Sequence, residues 1–150
     1  MGLKEKLQND LTDAIRGRDE VASGTVRMLL AAITNEEVAG KAAKVLTDAE
    51  VITVLSREAK KRREAVEAYT QAKRDDLASK ERAEAAVIAK YLPAQLSEDE
   101  IKKLISNAIV ETGANGPSGM GTVMKVLQPK IAGRADGGVV SGLVKAALSK

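Results

Sequence analysis

The sequence contains no cysteine, no histidine, no tryptophan and no phenylalanine, and its only aromatic side chains are Tyr69 and Tyr91. Each absence removes a class of chemistry. Without cysteine there is no disulfide and no thiolate nucleophile. Without histidine there is no Ser-His-Asp triad, and with both missing there is no ordinary zinc site. Two tyrosines do not make a stacking platform of the kind that reads single-stranded bases. No apolar run reaches the roughly 18 residues of a membrane-spanning helix. The start, Met1-Gly2-Leu3-Lys4-Glu5-Lys6, is charged at once and lacks the apolar core of a signal peptide. Lys6 also stands where a myristoylation motif takes Ser or Thr. These absences lead to the expectation of a cytoplasmic protein with no membrane partner, no metal and no cofactor.

What is present favours helices. The 150 residues suit one domain or two small ones at roughly 100–200 residues per domain. Apolar residues make up 44% and charged residues 30%, with a net charge of +3. The composition is rich in Ala, Glu, Lys, Leu and Arg, all good helix formers. With so few aromatics, the core has to be built from many small aliphatic contacts.

The apolar residues recur with a helical period. Leu3, Leu7, Leu11, Ala14 and Ile15 share one face, predicting a first helix from about Leu3 to Arg18. Asp19 is placed to cap a second, which carries Val26, Leu29, Leu30, Ile33 and Val38 and stops at Gly40. Thr47-Asp48-Ala49-Glu50 spells a capping box and opens a third helix through Ile52, Leu55, Ala59, Val66 and Tyr69. A fourth, Arg74 to Tyr91, turns Leu77, Ala83, Val87, Ile88 and Tyr91 inward and ends before Pro93. Ser97-Glu98-Asp99-Glu100 is a second capping box, leading a fifth helix with Ile101, Leu104, Ile105, Ala108 and Ile109 to Gly113. The stretch 114–119 reads as a loop, with Ser118 as the cap of a sixth helix carrying Met120, Val123, Met124, Leu127 and Ile131. Pro129 is expected to kink it or end it near Leu127. Asp136 caps a seventh helix that buries Val139, Val140, Leu143, Val144, Ala147 and Leu148. No stretch alternates as a strand does. The expectation is an all-α protein, with an N-terminal four-helix domain over residues 1–93 and a small C-terminal three-helix domain over residues 94–150.

Several of these segments together resemble the GatB/YqeY family. They are Val26-Arg27-Met28-Leu29 leading into Asn35-Glu36-Glu37, and Lys60-Lys61-Arg62-Arg63 followed by Glu64. Then come Tyr91-Leu92-Pro93 with Gln95-Leu96-Ser97-Glu98, Met120-Gly121 with Val123-Met124, and Gly133-Arg134-Ala135-Asp136-Gly137. The resemblance runs the whole chain, and the length is that of the free-standing YqeY-like protein. It implies an all-helical fold with an N-terminal bundle and a small C-terminal helical domain. It also implies kinship with the C-terminal tail of GatB, a subunit of the amidotransferase that converts Glu-tRNA(Gln) or Asp-tRNA(Asn) to the amide. That tail helps to hold tRNA, while the amidase and kinase-like chemistry sits elsewhere. The label of carbon–nitrogen ligase with glutamine as amido-N-donor comes by the same kinship, and no catalytic constellation in this sequence matches it.

Three constellations have both a functional and a structural reading. The run Arg57 to Arg63 carries net +4 in seven residues; Lys60, Lys61 and Arg63 suit either phosphate contacts or a solvated face paired with Glu64. Arg62 falls on the inward stripe of its helix, which predicts a partly buried ion pair with Glu36 or Glu37. After Gly113, Lys125, Lys130, Arg134, Lys145 and Lys150 outweigh the single Asp136. Gly133 and Gly137 would let backbone amides approach a phosphate at the start of the last helix, with Arg134, Lys125 and Lys130 beside it. The other reading of that turn is a helix–helix corner stabilised by Arg134 and Asp136. Gly116-Pro117-Ser118-Gly119-Met120-Gly121 lacks the Lys-Ser/Thr of a phosphate loop. Asp75 and Asp76 point about 100° apart and make a poor metal pair.

Three functions remain open on these grounds. The first is a tRNA-binding accessory module without catalysis of its own. The second is an amidotransferase component acting with partner subunits or an aminoacyl-tRNA synthetase, and the third is a protein-interaction module that binds no RNA.

Overall fold

The structure, a computed structural model, describes residues 2–149 and is all-helical, with no strand among them. It divides into two units, Met1–Leu92 and Pro93–Lys150. The first holds α1 (Leu3–Arg16), α2 (Glu20–Glu37), α3 (Asp48–Gln71) and α4 (Asp75–Ala89). The second holds α5 (Glu98–Thr112), a 3₁₀ turn (Pro117–Gly119), α6 (Met120–Ile131) and α7 (Gly137–Leu148). Lys150, the last of the C-terminal cations, lies outside the described residues.

Local chemistry sets most helix ends. Thr47 Oγ1 accepts the Glu50 N–H at 3.2 Å, and Glu50 Oε2 accepts the Thr47 N–H at 2.9 Å. Ser97 and Glu100 repeat the exchange, both bonds at 3.2 Å. Asp19 caps α2 through the Ala22 N–H, and Asp136 caps α7 through the Gly138 N–H. α5 ends on Gly113 in the left-handed region, φ +66°, where a glycine carries no Cβ penalty. α1 stops at Arg16 rather than Arg18, because Arg18 itself turns left-handed, φ +56°.

Two aliphatic cores fill the units. Leu7, Val26, Leu29, Ile33, Val51, Val54, Leu55 and Ile88 lead the first; Ile101, Ile105, Val123, Leu127, Val140 and Val144 lead the second. The apolar stripes are mostly as the periodicity predicts, with local differences. On α3, Val51 and Val54 are buried and Ile52 is only half-buried. On α4, Ala78 is buried and Ala83 exposed. Val38 and Val139 are solvent-exposed, each at a helix terminus beyond the edge of its core.

Two turn assignments change. Ser118 lies inside the 3₁₀ turn, and Gly119 holds the N-cap position of α6 with no side-chain bond. Pro129 does not end α6, which continues to Ile131. An interior proline costs about 3 kcal/mol. Fully burying an aliphatic side chain returns about 1.5–3 kcal/mol, and both Leu127 and Ile131 are buried on either side of it.

The capping glutamates make stability pH-dependent. The Thr47 and Ser97 backbone N–H groups hold the Glu50 and Glu100 carboxyls below their ordinary value of 4.5. Lys4 does the same to Glu37. A carboxyl lowered on folding stabilises above its unfolded value, and that contribution is lost as pH falls through the folded one. The urea midpoint is therefore expected to fall below about pH 4.5, and a Glu50→Gln, Glu100→Gln chain to show a flatter profile. Thr47→Ala and Ser97→Ala should each cost about 1 kcal/mol at pH 7.

Candidate nucleic-acid interface

On α3 the buried positions run Val51, Val54, Leu55 and Ala59, and the next inward position is Arg62, 8% exposed. Its Nη1 donates to Glu58 Oε2 at 2.7 Å. Its Nε lies 3.5 Å from the Glu84 carboxylate and 4.0 Å from that of Glu81, and Nη2 donates to Met28 Sδ at 3.4 Å. The Nε contact to Glu84 is ionic only, since Nε has no hydrogen-bond acceptor.

The expected partners of Arg62 are thus corrected. Glu36 sits 3.4 Å from Arg57, and Glu37 sits 2.7 Å from Lys4 while accepting the Leu46 N–H at 3.5 Å. The inward direction of Arg62 is a matter of helical period; the carboxylates it meets are chosen by the packing of α4 against α3, which puts Glu81 and Glu84 at the guanidinium.

With Arg62 turned in, Arg57, Lys60, Lys61 and Arg63 remain on the outer side of α3, all exposed. Arg57 pairs with Glu36, and Lys61 lies 3.2 Å from Glu58. Lys60 and Arg63 are engaged as well. The run is a solvated face with local partners.

The C-terminal turn is likewise occupied by its own chain. Gly133 adopts φ +72°, and its carbonyl accepts from Gln95 Nε2 at 2.8 Å. Arg134 Nε donates to Ala94 O at 3.0 Å, and the Leu96 N–H donates to Arg134 O at 2.9 Å. These bonds tie the segment before α5 onto the corner between α6 and α7. Asp136 Oδ1 takes the Gly138 N–H at 2.8 Å, so a carboxylate already sits at the positive end of α7. Gly137, beside it, is exposed. Gly133 and Arg134 therefore both make bonds within the corner.

Lys125 and Lys130 are both exposed but do not share a face. Five residues apart, they are separated by about 140° around α6. Lys130 reaches back to Glu111 of α5 at 4.0 Å. Lys125 lies opposite the buried Val123 and Leu127. Lys145, counted among the C-terminal cations but not among the residues expected at the turn, is exposed on α7, which packs against α6. Lys125 stands about 9 Å back from the end of α6 and Lys145 about 12 Å on from the start of α7, at 1.5 Å per residue. Neither helix contains an acidic residue.

The protein is all-helical and of two units, with exposed lysines and no acidic residue on its last two helices. Its sequence matches the family model described as Yqey-like protein over residues 4–148. The chain belongs to that family. Among its relatives is "Altered inheritance of mitochondria protein 41, mitochondrial" of Pyrenophora tritici-repentis, 34% identical over 87% of this chain and 71% of the relative. The protein of the same name from Clavispora lusitaniae is 31% identical over 87% of this chain and 76% of its own length. That from Saccharomyces cerevisiae is 30% identical over 71% and 60%. The expectation of a cytoplasmic protein does not survive this comparison, because these relatives are named as mitochondrial. It rested on absent apolar segments, which bear on membrane crossing and carry no address. No helix of the described residues is long and apolar enough to cross a membrane.

Arg62→Ala should lower stability by about 1–3 kcal/mol, the range for losing hydrogen bonds to charged groups. Arg62→Lys should not restore it, since an ammonium cannot reach Glu58 and Glu84 with one planar fork. Lys61→Ala should stay within about 0.5 kcal/mol. Arg134→Ala should cost about 1 kcal/mol by removing the bond to Ala94. Urea midpoints of the four chains check these values.

Proposed function

We propose that this protein is an accessory module that holds tRNA by its phosphate backbone, in association with tRNA-dependent amidation, and does no covalent chemistry of its own. The supporting observation is the charge distribution of the second unit. From Gly113 to Ser149 the one carboxylate is Asp136, which caps α7. Lys125 and Lys145 are exposed on two adjacent helices that carry no acid. Cations without local counter-charge attract phosphate, and the gain comes largely from counterions released into solution. The α3 run supports the reading less, because its cations already have partners. With no aromatic platform, recognition rests on backbone and shape rather than on base edges.

The test is an anisotropy titration with tRNA at several salt concentrations. Binding should weaken as salt rises. Each phosphate-binding cation removed by mutation should reduce the slope of log affinity against log salt by roughly 0.7–0.9. Lys125→Ala with Lys145→Ala should flatten it by about twice that and leave the melting temperature unchanged, since both residues lie outside the core. Unchanged slopes would move the phosphate-binding surface to Lys60, Lys61 and Arg63. Absence of binding by the wild type at low salt would remove the RNA reading.

A further inference from the structure

Met28 differs from the other described methionines. It is 40% exposed, whereas Met120 and Met124 are half-buried against the C-terminal core. It lines a groove of about 400 Å³ between α2 and α4, with Val21, Gly24, Thr25 and Glu84. Its sulfur accepts from the Arg62 guanidinium at 3.4 Å. Two polar atoms close by have no hydrogen-bond partner: Arg62 Nε, and Thr25 Oγ1 one helical turn back on α2. Both belong to residues more than nine-tenths buried, with Arg62 8% and Thr25 1% exposed.

A thioether sulfur is a weak acceptor, so it satisfies the guanidinium poorly. We propose that Met28 is a site of reversible oxidation by peroxide, with the resulting sulfoxide oxygen received by the Arg62 guanidinium. A sulfur lone pair attacks one peroxide oxygen, the O–O bond breaks and an S–O bond forms. The proton on the transferred oxygen passes to the departing one, which leaves as water. The sulfur loses the two electrons that the peroxide gains. Arg62 draws on one sulfur lone pair only, and the Met28 side chain lines the groove at 40% exposure.

Methionine oxidation usually disrupts packing, because it puts a polar group among apolar ones. At Met28 the new oxygen meets under-satisfied N–H donors, and a charge-assisted bond replaces a weak one. The fold is kept, while the wall that Met28 forms with Val21 changes from apolar to polar. Thiol-dependent reduction of the sulfoxide restores the original surface.

The experiment treats the full chain with hydrogen peroxide and follows each methionine by peptide mass spectrometry. Met28 should convert before Met120 and Met124. In a chain carrying Met120→Leu and Met124→Leu, the melting temperature should hold or rise after treatment. The Arg62 Nε–H resonance should shift, and return on treatment with methionine sulfoxide reductase and dithiothreitol. Adding Met28→Leu should abolish that shift. Earlier conversion of Met120 or Met124 would overturn the proposal. So would a fall of roughly 4 °C or more in the melting temperature, or an unmoved Arg62 resonance.

Discussion

The N-terminal unit is organised around one buried cation. Arg62 joins three helices at a single point: Glu58 from its own α3, Glu81 and Glu84 from α4, and Met28 from α2. A buried charge is costly unless its partners are in place, and removing one partner costs more than the pair contributes net. The guanidinium therefore constrains how these helices meet, since its fork must reach carboxylates on two of them together. It also accounts for the surface. In a run of five cations on one helix, committing Arg62 inward leaves the other four outside, where Arg57 pairs with Glu36 and Lys61 with Glu58.

The C-terminal unit meets the same problem with backbone groups. Its corner is closed by Gln95, which donates to the Gly133 carbonyl, and by Arg134, which donates to the Ala94 carbonyl. The α7 N-terminus is closed by Asp136. Gly133, Arg134 and Asp136 thereby make hydrogen bonds inside the chain. On α6 and α7, Lys125 and Lys145 have no carboxylate on their own helices to pair with. The charge that matters for binding is what is left after internal pairing, and a count along the sequence overstates it.

The absence of large aromatics shapes both units. Each core is assembled from valine, leucine, isoleucine and alanine, and no single side chain dominates. Such cores need long helices with broad buried faces, as on α3, where Val51, Val54, Leu55 and Ala59 are all covered. Narrow stripes drawn from periodicity alone miss the flanks of those faces.

Helix existence, the two capping boxes, the Asp19 and Asp136 caps and the inward direction of Arg62 were all legible in the sequence. These depend on residues within about four positions of one another, so the local spelling determines them. Pro129 escaped that local logic, because burial of Leu127 and Ile131 in a non-local core offsets its intrinsic cost. The partners of Arg62 and the engagement of Gly133 and Arg134 with residues some forty positions earlier were decided only by the tertiary structure. A helix presents several faces, and its sequence says which side chains share a face. Which neighbour that face meets depends on how all the helices pack, and no short-range pattern encodes that choice.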